Sequence, residues 1–301
     1  MSTMTDLPAS VGTAQDLAVE AADAAASSAG AAVRNLRTRD EFDEVCGLLQ
    51  SIWRPDAQNP PVTAELLTAL VKAGNYVAGA YQADVLIGAC VGFFAAPTDS
   101  TLHSHIAGVS SAVRGRNVGL ALKLHQRAWA LQRRITTISW TFDPLVRRNA
   151  YFNLVKLAVQ PVEYLPDFYG AMHDDINGGD ATDRLLVRWD LDERWTPATH
   201  PHSRSGFDAA ALRADGAVEA LGISADGRPI PSDIGGSTVL IAVPADVEKL
   251  RTVELALAKQ WRQELRAALG TLLAGGARVI GFDPNGWYVV STGDAATPSR
   301  D

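Results

Sequence analysis

With 301 residues, 47% of them hydrophobic, the chain is long enough for one large or two small domains with a real core, and its composition is neither collagen-like nor that of a disordered protein. A formal charge of -7 argues against a general nucleic-acid or anionic-membrane surface, since those partners select basic proteins. The two cysteines, Cys46 and Cys90, set no disulfide framework; both lie in apolar patterns and read as small buried hydrophobes, which fits a reducing cytoplasm.

Residues 1–31 are rich in Ala, Ser and Thr and carry Asp6, Asp16, Glu20 and Asp23 with no Lys or Arg. They match neither a secretory signal nor a transit peptide, and with few large apolar side chains they are expected to form a disordered tail, with at most a transient helix from Gln15 to Ala26. Folded sequence is expected from Ala32, where a short strand reaches Leu36. Thr38-Arg39-Asp40-Glu41 reads as a capping box for a helix burying Phe42, Val45, Leu48, Leu49 and Ile52 and ending before Pro55. A second helix spans Ala64 to Lys72, opened by Thr63 and stopped by Gly74-Asn75. Two strands follow, Tyr76 to Tyr81 and Val85 to Phe94, joined as a hairpin through Gln82-Ala83-Asp84.

The run His105 to Val109 is a strand signal, and it leads through Arg114-Gly115-Arg116-Asn117 into the helical spacing of Val118, Ala121, Leu122, Leu124, Ala128 and Leu131. A strand, a basic glycine turn and a helix start suit a phosphate or pyrophosphate, because first-turn N–H groups lack partners and carry partial positive charge. Glycines that serve only the turn are the plainer alternative. Arg114, Arg116, Lys123, Arg127, Arg133, Arg134, Arg147 and Arg148 concentrate positive charge in this stretch, and a solvated helix face accounts for some of them. Ile135 to Phe142 is expected as a strand ended by Asp143-Pro144, and Asn149 to Leu157 as a short helix.

From Glu163 to Glu193 the sequence is acidic, with Asp167, Asp174, Asp175, Asp180, Asp183, Asp190 and Asp192; this is either a negative wall suited to an amine or a solvated loop. Leu185 to Leu191 reads as a strand. A Pro, His and Ser connector from Thr196 to Gly206 suggests a boundary, so the expected division is 1–31 tail, 32–192 first domain and 193–301 a C-terminal β/α extension packing on it. In the extension, strands are expected at Ala217 to Leu221 and Val239 to Val243. One long helix after Asp246 should carry Leu250, Val253, Leu257, Trp261, Leu265, Leu269 and Leu272, followed by strands at Arg278 to Phe282 and Trp287 to Val290.

Arg114-Gly115-Arg116-Asn117-Val118-Gly119, preceded by a strand, resembles the Q/R-x-x-G-x-G/A pyrophosphate loop of the GCN5-related N-acetyltransferases. His103-Ser104-His105, Trp140 to Leu145, Arg148-Asn149-Ala150 and Asp183-Arg184-Leu185 resemble a bacterial subgroup of predicted acetyltransferases, over roughly Ala32 to Leu191. The resemblance implies an α/β fold with a mixed, mostly antiparallel central sheet flanked by helices. It implies acetyl-CoA as co-substrate, no metal, and a small-molecule or protein amine as acceptor, and it leaves a homodimer open. By the same resemblance Val109, Arg114, Gly115, Arg116, Asn117, Val118, Gly119, Leu120 and Asn149 are the expected cofactor contacts, with the pantetheine arm between two splayed strands. Asn117 stands where the family usually has glycine, and Leu154 where its N-x-x-A-x-x-L-Y-x-K-x-G-F pattern places the tyrosine acid; Arg147, Ala150, Lys156 and Ala158 take its Asn, Ala, Lys and Gly positions.

Candidate proton carriers are therefore sought elsewhere. His103 and His105 are two apart on a strand and share a face, which suits deprotonation of an ammonium; a structural histidine bonded to backbone is the rival reading. No third ligand at zinc-like spacing follows them, so no metal is expected. Tyr151, Tyr164 and Tyr169 are candidate acids, and Asn149 or Asn153 a water or amide holder, with packing or capping the plainer reading of each. The expected activity is direct acyl transfer to an amine, with a non-catalytic acyl-CoA sensor or a structural protein of the same fold as alternatives.

Overall fold

The computed structural model describes residues 13–55, 60–96, 98–170, 179–191 and 207–293. The connector at Thr196 to Gly206, Asp174, Asp175 and Asp192 lie outside them. Among the described residues no helix is long and apolar enough to cross a membrane.

Two sheets form the frame. The first has seven strands in the order β1-β2-β3-β4-β5-β7-β6, with β1 Ala32–Asn35, β2 Tyr76–Gln82, β3 Val85–Phe94, β4 Thr101–Val109, β5 Thr137–Phe142, β6 Gln160–Leu165 and β7 Arg184–Asp190. Every neighbouring pair is antiparallel except β4 with β5. The hairpin between β2 and β3 closes with Ala83 and Asp84 at φ of 46° and 64°, the left-handed pair that a two-residue type I′ turn requires. Strand β6 escaped the sequence reading because Pro161 and an exposed Glu163 interrupt its pattern; it is an edge strand, where a missing N–H costs no ladder bond.

Helices α2 Arg39–Trp53 and α3 Ala64–Lys72 cover one face. The capping box at Thr38 and Glu41 is formed, and Phe42, Val45 and Leu49 are buried against Val77, Ala89 and Val91. On the other face lies α4 Val118–Leu131, so close to β3 that a Cβ at Gly88 would sit 3.0 Å from Leu122 and 3.2 Å from Val118. The missing side chain of Gly88 thereby fixes the height of α4 above the sheet.

The expectation of a disordered tail fails over α1 Ala14–Ser28. This helix opens on a capping box of Thr13 and Asp16, buries Ala18 and Ala22, and packs along α4; Gln15 Nε2 donates to Leu131 O at 3.1 Å. Small side chains bury little area each, but they allow two helices to lie close, which is how α1 gains its contact.

The second sheet, preceded in the chain by the short helices α5 Arg147–Tyr151 and α6 Ala209–Ala214, has the order β11-β12-β10-β8-β9, from β8 Val218–Ile223, β9 Pro229–Pro231, β10 Thr238–Ala242, β11 Arg278–Asp283 and β12 Trp287–Ser291. The single long helix expected after Asp246 is broken: α7 Val247–Val253 stops at Glu254, and Val253, placed in the apolar stripe, is 65% exposed. Past the break α8 Leu255–Leu265 runs into a π segment, Arg266–Gly270, and a last turn, α9 Thr271–Ala274. The wider π turn brings Leu265, Leu269 and Leu272 all into the core.

A buried cluster of arginines and aspartates joins the sheets. Arg262 donates to both carboxylate oxygens of Asp143, at 2.8 and 2.9 Å, and to Asp180 at 3.0 Å; Arg251 pairs with the same two carboxylates. Beside it Arg266 Nε donates to Asp183 at 2.9 Å, Tyr164 Oη donates to Asp183 at 2.6 Å, and Tyr288 Oη donates to Pro144 O at 2.7 Å. Asp180 and Asp183 therefore belong to the packing between the sheets, and the negative wall expected from Glu163 to Glu193 is not built from them.

Candidate active site

The turn before α4 adopts two left-handed residues, Gly115 at φ 87° and Asn117 at φ 61°. Asn117 holds a left-handed backbone because asparagine tolerates that conformation better than most residues. Its side chain makes no cap to the helix: Asn117 Oδ1 instead accepts a hydrogen bond from Lys156 Nζ at 2.7 Å. The first-turn N–H groups of Val118, Gly119 and Leu120 are thus left without a side-chain cap, at the positive end of the helix dipole. A Cβ at Gly119 would meet only ordinary contacts, 3.8 Å from Phe152 and from Val109, so a methyl fits there without displacing a neighbour. Arg114 and Arg116 are exposed around it, and Arg116 Nη1 donates to Gln82 Oε1 at 3.3 Å.

Beside this turn the sheet parts. Strands β4 and β5 pair only at Thr101↔Thr137, Leu102↔Ile138 and His103↔Ser139. Beyond His103 no strand among the described residues pairs with the outer edge of β4. Ser110 N donates to Ile87 O at 2.9 Å, which makes Gly88↔Val109 a pair without mutual hydrogen bonds and turns the Val109 N–H toward the open side. A β-bulge falls at the same level, where Gly92 pairs with Ser104 and Val91 with Ile106, leaving His105 as the extra residue.

The two sheet faces at this vertex differ. On the side away from α4, Phe93 has the rings of His103 and His105 at 5.1 and 5.6 Å, and the two imidazoles are 6.3 Å apart. Burial holds both below the ordinary histidine pKa, and for His103 the neighbouring His105 and Lys123 charges add to it, so both rings are neutral at pH 7 and able to accept a proton. On the α4 side the floor is polar: Lys123, Ser104, Gln126 and Trp140 converge, and Trp140 Nε1 donates to Asn153 Oδ1 at 3.1 Å. In the sequence Lys123 is one of eight basic residues of this stretch, and only its place on the sheet-facing side of a helix signals a buried role.

Other sequence candidates fall in different places. Tyr151 ends α5 Arg147–Tyr151 half-buried against the core, and Asn149 is half-buried on the same helix. The rest of the helix expected to Leu157 is a π segment, Phe152–Lys156, with Leu154 buried. Tyr164 is buried with its hydroxyl on Asp183, and burial raises its pKa, so it is not an available acid. Tyr169 is exposed, 3.2 Å from Thr141 Oγ1. Of the eight basic residues expected near a phosphate, Lys123 and Arg127 are buried, Arg133 stacks on Trp129, Arg147 donates to Pro284 O and Arg148 pairs with Glu248. These contacts divert most of the stretch's positive charge into structure.

Sequence comparison finds no matching family model and no matching curated protein. Solved structures are similar over about half of this chain and nearly the whole of theirs. They include an N-acetyltransferase from Staphylococcus aureus Mu50, at 12% identity over 54% of this chain and 99% of that one, TM-score 0.44. The ribosomal-protein-S18-alanine N-acetyltransferase from Escherichia coli matches at 11% identity over 55% and 99%, TM-score 0.42. Aminoglycoside 6'-acetyltransferase type Ii matches at 17% identity over 55% and 99%, TM-score 0.43. The likeness is one of fold.

Proposed function

We propose that the protein transfers an acyl group, acetyl in the first instance, from a coenzyme A thioester directly to an amine. The observation that carries this reading is the parting of β4 and β5 after His103↔Ser139, next to an uncapped helix start with Gly115 in the left-handed region. The residues fit an elongated acyl-CoA. The N–H groups of Val118, Gly119 and Leu120, with Arg114 and Arg116 nearby, suit the pyrophosphate, and the open edge of β4 suits an arm whose amides need strand partners. Acetyl-CoA would supply the activated thioester. The Val109 N–H polarises a carbonyl on the open side, and His105, with His103 as second candidate, takes the proton that an ammonium must lose before it attacks.

Direct transfer is favoured over a covalent cysteine intermediate. Cys90 is fully buried and Cys46 lies on α2, and burial raises the pKa of both thiols, which suppresses the nucleophilic thiolate. A non-catalytic acyl-CoA sensor is the second reading, favoured by the buried Leu154 at the place where the resemblance implies a phenol. Calorimetric titration with acetyl-CoA, followed by thiol release over a panel of amines, tests both. Binding with turnover supports the enzyme, binding without turnover on any amine supports the sensor, and no binding removes both.

A further inference from the structure

The vertex of the cleft holds a positive charge with no carboxylate to answer it. Lys123 is 4% exposed; its Nζ donates to Ser104 Oγ at 2.7 Å and to Gln126 Oε1 at 3.2 Å, and lies 3.7 Å from the centroid of the Trp140 ring. A hydroxyl, an amide oxygen and an aromatic face all favour an ammonium, yet none carries charge. Among the described residues no Asp or Glu pairs with it. The titratable groups around it are Cys90 on β3, whose Sγ is 3.8 Å from Ser104 Oγ, and His103 on β4; Ser104, Gln126 and Trp140 are its neutral neighbours on β4, α4 and β5. Burial pushes the amine down to about 8, so at pH 7 it is still mostly protonated. Gln126 Nε2 is a second buried donor, with no hydrogen-bond partner in the described structure. A buried charge without a counter-ion, beside an unpaired buried amide donor, is costly unless an anion completes the site.

Its position says which anion. Ser104 is the first residue of β4 beyond its last pair with β5, and Trp140 is the first of β5 beyond the same pair, so Nζ bridges the two strands at the point where they separate. We propose that Lys123 is a catalytic residue of the acyl transfer: its ammonium neutralises the thiolate released at the vertex of the cleft. The inference rests on the acyltransferase reading above. As the acyl carbon exchanges its bond to sulfur for one to the amine nitrogen, the C–S electron pair stays on sulfur. The amine proton departs by the histidines on the opposite face, and Lys123 keeps its own.

The test needs no acceptor. Free coenzyme A is titrated with pH in complex with the full chain, its thiolate followed by ultraviolet difference absorbance against the protein alone, which subtracts Cys46 and Cys90, whose pKa values burial raises. The bound thiol should titrate at least about one unit below the free one, an increase in thiolate of about tenfold at pH values below both. Lys123→Met should return it to the free value, Lys123→Arg should keep part of the shift, and affinity for desulfo-coenzyme A, which has no thiol, should stay within a few-fold. An unshifted bound thiol in the wild type, or a shift retained in Lys123→Met, overturns the proposal and leaves acyl transfer standing. Failure of coenzyme A to bind at all removes both. Should Lys123→Met not fold, the wild-type titration alone decides.

Discussion

Asn117 does two jobs with one side chain: its backbone takes the left-handed turn, and its amide oxygen holds Lys156 rather than the helix it precedes. The helix start keeps no side-chain cap, and Gly119, where a methyl would meet only ordinary contacts, allows a steric test. Gly119→Ala should fold and bind, whereas Gly119→Glu, placing bulk and negative charge over the same N–H groups, should weaken acetyl-CoA binding by well over tenfold, or about 1.4 kcal/mol, in a calorimetric titration. For the histidines, the lowered pKa fixes a sign. The neutral, proton-accepting form persists below the ordinary histidine value, so the ascending limb of the pH–rate profile should lie on the acid side of about 6.5. His105→Ala should lower turnover on an active amine by about two orders of magnitude and abolish that limb, with acetyl-CoA affinity within a few-fold. If His105→Ala and His103→Ala both keep the rate and profile, neither is the base.

At the scale of elements, α1 is a test of packing by small side chains. Ala22→Glu puts a carboxylate where α1 meets α4, with 4% exposure and no provision for its charge, and should cost about 2–4 kcal/mol in urea unfolding; Glu20→Ala, on the exposed side, should be near neutral. What the sequence made legible follows from locality. Capping at Thr38 and Thr63, the hairpin at Ala83-Asp84 and the left-handed turn at Asn117 are decided by residues a few positions apart, and all can be read from the chain. The roles of Asp143, Asp180 and Lys123 are decided by partners far away in sequence or on a neighbouring strand, and a string of letters marks them only as charges. The break at Glu254 and the π segment after Leu265 were illegible for a related reason: an apolar stripe fixes which residues turn inward but not where an extra residue is accommodated.

For the whole molecule, the junction between the sheets sets the stability. Burial opposes charge on Asp143, but Arg262 and Arg251 outweigh it and hold its carboxyl well below the usual carboxylate range. Because the folded pKa is depressed, this stabilisation is complete above the unfolded value of about 3.9 and is lost as pH falls through the folded one. Unfolding free energy should therefore be insensitive to this group from neutral pH to about 4. Arg262→Met, leaving Arg251 to pair with both carboxylates, should cost about 3–5 kcal/mol at pH 7 and recover part of the loss as the medium is acidified toward pH 5. Truncation after Asp192 removes both guanidiniums and the Tyr288 hydroxyl on Pro144, and should yield an aggregating product; a soluble monomer with full acetyl-CoA affinity would show the halves independent. The junction also constrains inheritance. Two aspartates in one half answer two arginines in the other, so a gene that kept the first sheet without the second would be under pressure to replace Asp143 and Asp180 with apolar residues. In any relative, the identity of those two positions should report whether its second half is present, and recombination within 192–206 should succeed only between parents whose charges match across the join.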